Sequence, residues 1–297
     1  MSQRIVVVGA GGQVGRLLAA EAARRGRSVS ALTHSDLDIT DAAAVDRCID
    51  SADAVVNCAA FTNVDAAESA PERAHAINAV GPGNLARACA RAGARLVHIS
   101  SDYVFGGDLR RPYEISDPTG PLNVYGRSKL DGERAVHAAL PEAHVVRTSW
   151  VFTGGPGSGD FVSAMQELAA TDRTVDMVAD QTGSPTYAVD LVDALLHIAD
   201  GAVAAPLLHV ANAGWGSRLD QARAVFAALG ADPERVRPIT TAAASRPARR
   251  PVFSALSMAE SVRAGLRALR PWREALEVAL AQPLRQPSDG GAITSSV

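Results

Sequence analysis

The chain has 297 residues, 47% hydrophobic and 21% charged, with a formal net charge of -3. That length suits one large α/β domain or a core with a smaller lobe, and the charge gives no reason to expect nucleic acid or an anionic membrane as partner. No signal peptide or bilayer-spanning apolar run is read, and Cys48, Cys58 and Cys89 lack metal-ligand spacing, so a cytoplasmic protein with no bound metal is expected.

Ile5 to Val8 is a short β-branched run that ends in glycine, as a buried parallel strand does. Gly9-Ala10-Gly11-Gly12-Gln13-Val14-Gly15 follows, and then a helical pattern from Val14 to Arg25 that stops at Gly26. Strand, glycine loop and helix in that order are the context in which such a loop binds a dinucleotide. The spacing is G-x-x-G-x-x-G, on Gly9, Gly12 and Gly15. Glycines there allow a tight turn and let the backbone approach a diphosphate at the helix N-terminus. Val29 to Thr33 reads as a second strand, ending in His34-Ser35. An NAD-specific fold usually places an acid at this end for the ribose hydroxyls. Here only Asp36 is close, and a His/Ser pair suits a 2′-phosphate, so NADPH is favoured, with NADH as the alternative.

A helix is expected from Asp38-Ile39-Thr40-Asp41 to about Cys48, with Thr40 as its N-cap. Asp53 to Asn57 is the third strand, and the small residues Ala59 and Ala60, before Phe61, would let a cofactor lie on the backbone. Pro71 opens a long helix, Glu72 to Ala92, that stops at Gly93. Arg95 to Ile99 is the fourth strand, and it delivers Ser100-Ser101-Asp102-Tyr103 at its carboxyl end, where open α/β sheets place their sites. Gly106 to Gly120 reads as a loop covering the site.

The next helix, Asn123 to Ala139, carries Tyr125 and Lys129, the only lysine in the chain. At i and i+4 their side chains share a face. A nearby ammonium favours phenolate, so the tyrosine is expected to titrate below its ordinary value and to exchange protons near neutrality. A Ser101 hydroxyl beside that phenol would orient a substrate carbonyl. His144 to Thr148 is a further strand, ending beside Trp150, an aromatic suited to stacking on a sugar. Thr153 to Gly159 is flexible by composition. Helices follow near Asp160–Ala170, Tyr187–Ala199, Arg218–Leu229 and Pro271–Leu280, with strands near Val175–Val178 and Leu207–Val210. Arg246, Arg249 and Arg250 are candidate phosphate contacts. The expected architecture is α/β: a Rossmann-type doubly wound parallel sheet in residues 1–152, further core elements and a smaller substrate lobe in 153–285, and a disordered tail in 286–297.

These residues together resemble the extended short-chain dehydrogenase/reductases, and within them the dTDP-4-dehydrorhamnose reductase family. The likeness covers nearly the whole chain to about residue 282. It is carried by Gly9 to Gly15, Asp36 to Asp41, Asn57 to Asp65, Ser101-Asp102-Tyr103-Val104-Phe105, Asn123 to Lys129, Arg147 to Val151, Asp180 to Thr186, and Arg249-Arg250-Pro251 before Ser254. The resemblance implies NAD(P)H-dependent reduction of the 4-keto group of a dTDP-4-keto-6-deoxyhexose. It implies Ser101, Tyr125 and Lys129 as catalytic residues, Lys129 also holding the nicotinamide ribose. It adds Gln13, Val14, Asp38 and Ile39 to the cofactor contacts, and gives Val64, Asp102, Tyr103, Tyr125 and Trp150 as substrate contacts. A monomer or homodimer is expected. Some members hold magnesium with a glutamate where this chain has Leu17, and the family's Asn-Phe is Asp160-Phe161 here. The Ala/Arg-rich composition resembles proteins of GC-rich bacteria, whose relatives include enzymes making deoxysugars for antibiotics and other secondary metabolites. A same-fold epimerase or dehydratase and a non-catalytic NADP-binding subunit are the competing readings.

Overall fold

The computed structural model describes residues 4–49, 54–155 and 157–281; Asp53, Pro156 and the 286–297 tail lie outside them. Six parallel strands form the central sheet, in the order β10-β5-β4-β3-β1-β2. The first three are β1 (Arg4–Val8), β2 (Ser28–Leu32) and β3 (Ala54–Asn57), with α1 (Gln13–Arg24) and α2 (Ala42–Cys48) between them. β1 pairs with β2 on one side and β3 on the other, so the chain reverses direction across the sheet at β1. Such a switch point leaves a crevice at the carboxyl ends of the strands. The N-cap of α2 is Asp41, whose carboxylate accepts from Ala43 N and Ala44 N, and not the expected Thr40. The Thr40 hydroxyl is already committed to Asp38, at 2.8 Å.

α3 (Val64–Ser69), to which no element was assigned from the sequence, is capped by Asn63. The long helix expected from Glu72 to Ala92 is present without leaving right-handed helical backbone, but its middle widens. α4 (Pro71–His75) runs into a wide π-type turn over Ala76–Val80, and α5 (Gly81–Ala92) continues with Pro82 in its first turn. β4 (Arg95–Ser101) is two residues longer than read, so Ser101 is its last residue, and a 3-10 turn over Asp102–Val104 follows. α6 (Val124–Ala139), capped by Asn123, leads to β5 (His144–Thr148) and the short β6 (Val151–Phe152).

The second half holds α7 (Phe161–Ala169), β7 (Val175–Val178), β8 (Thr182–Gly183), β9 (Thr186–Tyr187), α8 (Ala188–Ala199), β10 (Leu207–His209), β11 (Gly216–Ser217), α9 (Arg218–Ala228), β12 (Val236–Ile239), α10 (Thr241–Ala244), α11 (Ala259–Arg263) and α12 (Trp272–Ala281). β10 completes the sheet beside β5. Because the strands are buried on both faces, alternate residues feed two cores. Ile5, Val7, Val56 and Val97 pack with Leu18 of α1 and Leu191 and Leu195 of α8. Val6, Val55, Leu96 and Val145 pack with Val45, Leu85 and Val136 of α2, α5 and α6. A third core, around Phe152, Val162, Phe226, Val236 and Trp272, belongs to α7, α9, α12 and the β7/β12 pair.

The Gly106–Gly120 segment is fastened down. Tyr113 is buried and stacked on Phe105, its hydroxyl accepts from the amides of Gly107 and Asp108, and its backbone pairs with Ala255 and Ser257.

Candidate active site

The glycine loop lies at the switch point, and its spacing has a steric cause. Gly9 has φ +78°, and a Cβ there would stand 2.5 Å from Ala59 N; a Cβ on Gly15 would stand 2.3 Å from the Gly9 carbonyl oxygen. Gly12 is exposed and caps α1 without any side-chain hydrogen bond. The result is a bare backbone cradle at a helix N-terminus, which fits a dinucleotide diphosphate. Val14 is half-buried beside it. The Gln13 side chain turns the other way and donates to Ser158 O at 2.6 Å, tying the 153–159 loop to the cradle.

At the end of β2, His34 and Ser35 are exposed. Asp36 is folded back on its own turn, accepting from Thr33 N (2.9 Å) and Thr33 Oγ1 (2.6 Å), and these bonds lower its pKa. Asp38 is likewise committed, to Thr40. Ile39 is buried over Gly81, where a Cβ would meet it at 2.5 Å, and Asn84 donates to its carbonyl at 2.9 Å.

Past β3, Ala59 N is held by Asn57 Oδ1 (3.0 Å), and Ala60 is half-buried. Phe61 is gripped at both backbone groups by Asn78, which accepts from its N–H at 2.8 Å and donates to its carbonyl at 3.1 Å. Asn78 also donates to Ser128 on α6 (2.9 Å). Sequence reasoning missed Asn78, although the Gly81-Pro82 pair signalled an irregularity in the helix that presents it.

Ser101, Tyr125 and Lys129 converge. The Ser101 hydroxyl lies near enough to the Tyr125 phenol to pull its pKa down a little. The Lys129 amine donates to the Ile99 carbonyl at 2.6 Å and is 2% exposed. α6 presses close enough to the 102–104 turn that a Cβ on Gly126 would stand 2.2 Å from Tyr103 O. The expected depression of the tyrosine pKa is absent: the phenol is pushed up to about 12 by loss of solvent, and the nearby Asp102 adds to the rise. Burial pulls Lys129 down to about 8. Its amine is turned to the strand carbonyl, and desolvation, not a neighbouring cation, sets the state of the phenol. At neutral pH the phenol therefore holds its proton.

Asp102 is buried, 3% exposed, and accepts from three serine hydroxyls: Ser254 (2.6 Å), Ser149 (3.0 Å) and Ser101 (3.1 Å). Burial nonetheless raises it to about 6. Tyr103 packs edge-on against Tyr125, ring centroids 5.9 Å apart. Val64 opens α3 nearby. The next residue, Asp65, pairs with Arg250 (2.8 Å) and Arg246 (3.4 Å). Two of the three candidate phosphate-binding arginines thus spend their charge on Asp65, while the Arg249 carbonyl accepts from Asn123. Asp160 is buried, accepting from Thr153 N and capping α7, so it braces the base of the glycine-rich loop.

Trp150 has φ +47°, a left-handed conformation that costs a bulky residue strain and persists only where the surroundings enforce it. Its indole fills the space a Cβ on Gly183 would need, and its buried Nε1 has no hydrogen-bond partner among the described residues. The Arg218 guanidinium stacks over it at 3.6 Å, beside Phe161. Burial pulls Arg218 down to about 10, and it forms no ion pair among the described residues, only a bond to Gln221. An arginine at a helix start after Gly-Ser carries no sequence signal that singles it out; its place over Trp150 is purely tertiary.

The RmlD substrate binding domain family matches residues 3–284. The chain is 60% identical over 291 residues to a dTDP-4-dehydrorhamnose reductase of Mycolicibacterium smegmatis, covering 98% of this chain and 89% of that one. It is 57% identical to one of Mycobacterium tuberculosis, covering 97% and 95%. Its fold matches the crystal structure of a Bacillus anthracis dTDP-4-dehydrorhamnose reductase in complex with NADP, with TM-score 0.90, 32% identity, and 95% and 99% of the two chains covered.

Proposed function

The chain belongs to the dTDP-4-dehydrorhamnose reductase family, and from that premise we propose how its residues divide the work of an NADP-dependent dTDP-sugar 4-ketoreductase of rhamnose biosynthesis. When bound, NADPH would supply the hydride for C4 of the keto sugar. Tyr125 gives its proton to the C4 oxygen as charge develops there, and a phenol pushed up to about 12 is in the right state to do so at neutral pH. Ser101 bonds the same oxygen and orients it. Lys129, anchored on the Ile99 carbonyl, has two N–H groups left over and would hold the ribose of the cofactor. The Gly9–Gly15 backbone would hold the diphosphate of the cofactor, and His34 and Ser35 its 2′-phosphate. Trp150 and Tyr103 wall the sugar, and Arg218 meets the dTDP diphosphate.

What supports this reading best is that Ser101 lies beside the Tyr125 phenol, with the buried Lys129 one turn along the same helix, next to a glycine cradle that tolerates no Cβ at Gly9 or Gly15. The test is NADPH oxidation with a dTDP-4-keto-6-deoxyhexose, the product identified by NMR. Tight NADPH binding without turnover on any such sugar would overturn it and favour the non-catalytic subunit. A dehydratase is disfavoured because Asp102, the acid beside Ser101, is buried under three serine hydroxyls. No helix among the described residues is long and apolar enough to cross a membrane. We place the enzyme in the cytoplasm as a monomer or homodimer, with no metal at Leu17, which packs into the core beneath the sheet.

A further inference from the structure

Three consecutive residues of β4 each hold one residue of α6. Ile99 accepts from Lys129 through its carbonyl, Ser100 donates to Glu133 Oε1 at 2.5 Å, and Ser101 meets Tyr125. Tyr125, Lys129 and Glu133 are spaced i, i+4 and i+8 and so share a helix face. Two of the three have roles in the reaction; Glu133 has none so far. It is 4% exposed and takes a two-pronged bond from Arg147 of β5, Nε at 2.9 Å and Nη2 at 2.7 Å, with Arg147 itself 3% exposed. A buried ion pair seldom adds net stability, because desolvating both ions offsets their attraction. Its presence under the catalytic face therefore points to orientation.

We propose that Glu133 is a positioning residue of the reductase: with Ser100 and Arg147 it fixes α6 against β4 and β5 and supplies the negative charge that Lys129 faces. What Lys129 does rests on the reductase reading; where it sits does not. The groups around the amine are Cys58 from the end of β3, His98 on β4, Glu133 on its own helix, and Arg147 behind Glu133, with Tyr125 one turn before it on α6. Cys58 and Tyr125 are each pushed up to about 12 and His98 well below its ordinary value, so these three are neutral near pH 7. Glu133 is left as the anion that opposes the effect of burial on the lysine.

The chain has a single lysine, so protein grown with [ε-13C]lysine gives one side-chain resonance whose pH titration reports Lys129 without any turnover. Glu133→Gln is expected to lower that titration midpoint by at least about half a pH unit, to move the basic limb of kcat the same way, and to cut kcat by roughly tenfold or more through lost alignment. KM for the dTDP sugar and NADPH affinity stay within about threefold, since neither ligand touches Glu133. Ser100→Ala keeps the charge and breaks only the strand contact. It is expected to lower kcat at least about threefold with the lysine titration unmoved, and it decides the positioning claim should Glu133→Gln not fold. A folded Glu133→Gln protein with the lysine titration in place, or kcat within about twofold of wild type in either variant, overturns the proposal. Wild-type protein that turns over no dTDP-keto sugar would sink the reductase reading instead, while the lysine titration still decides whether Glu133 sets the charge.

Discussion

The guanidinium of Arg218 at the start of α9 lies 3.6 Å above the indole of Trp150, which stands between β5 and β6. Arg250, the other cation facing Tyr103, is neutralised by Asp65 at 2.8 Å. Arg218 has no such partner among the described residues. On the proposed reading, an incoming diphosphate would meet a desolvated guanidinium with no carboxylate in ion-pair contact, held flat by an aromatic wall.

Arg218→Met should then cost substrate binding and spare the cofactor. A hydrogen bond to a charged group contributes about 1.5–3 kcal/mol, so KM for the dTDP sugar is expected to rise roughly 10- to 100-fold. NADPH affinity, measured by the fluorescence of the bound nicotinamide, should not change. Equal losses for both ligands would place Arg218 outside the sugar-nucleotide site.

Gly15→Ala tests the cradle. The new Cβ would be forced to within 2.3 Å of the Gly9 carbonyl oxygen, which is backbone and cannot swing aside. The helix and the loop must separate, at an expected cost of several kcal/mol, roughly, with NADPH binding lost. Gly12→Ala meets nothing closer than 3.5 Å inside the protein, so it should fold normally, and any loss of NADPH affinity would come from the ligand side. Calorimetric Tm and NADPH titration on the two variants separate these effects.

Much of this site was legible along the chain because its signals are local. The glycine spacing, the strand ends and the Tyr125/Lys129 pair each lie within a few residues, and periodicity located the strands that carry them. What stayed hidden depends on contacts between distant segments. Ser254 and Ser149 reach Asp102 from 152 and 47 residues away, so nothing near Asp102 announced that its carboxylate is enclosed. The sign of the Tyr125 shift was misread for the same reason: helix spacing brings an ammonium near, but burial, which only the assembled fold supplies, decides the outcome. Thr40 lost the cap of α2 to Asp41 because Asp38 had claimed its hydroxyl.

Asp102 gives a pH-dependent prediction for stability. Its folded pKa, about 6, lies above the ordinary 3.8, so between those values the folded protein binds more protons than the unfolded chain. Stability from this group is therefore fully present below about pH 4 and is lost as pH rises through about 6. The difference amounts to about 3 kcal/mol. Asp102→Asn removes the titration while keeping an acceptor for the serines. Its Tm relative to wild type should be highest at pH 7–8 and fall as pH is lowered toward 4. A gap that stays constant across that range would mean that the carboxylate is not desolvated as the structure has it.

Tyr125→Phe removes the proton donor while keeping the ring that packs edge-on against Tyr103. Loss of a positioned general acid costs about 10²–10⁴-fold in rate, and kcat should fall within that range with NADPH binding intact. In the wild type the phenol stays protonated well above neutrality, since it titrates at about 12. The decline of kcat on the basic side should therefore follow Lys129, near pH 8, and not the tyrosine. Lys129→Arg is not expected to rescue: the guanidinium would have to fit where the amine is 2% exposed and bonded to Ile99 at 2.6 Å. A basic limb that stays flat to pH 10 in the wild type would show that the charge on Lys129 does not matter to the step, and would leave the phenol and the serine hydroxyl to carry it alone.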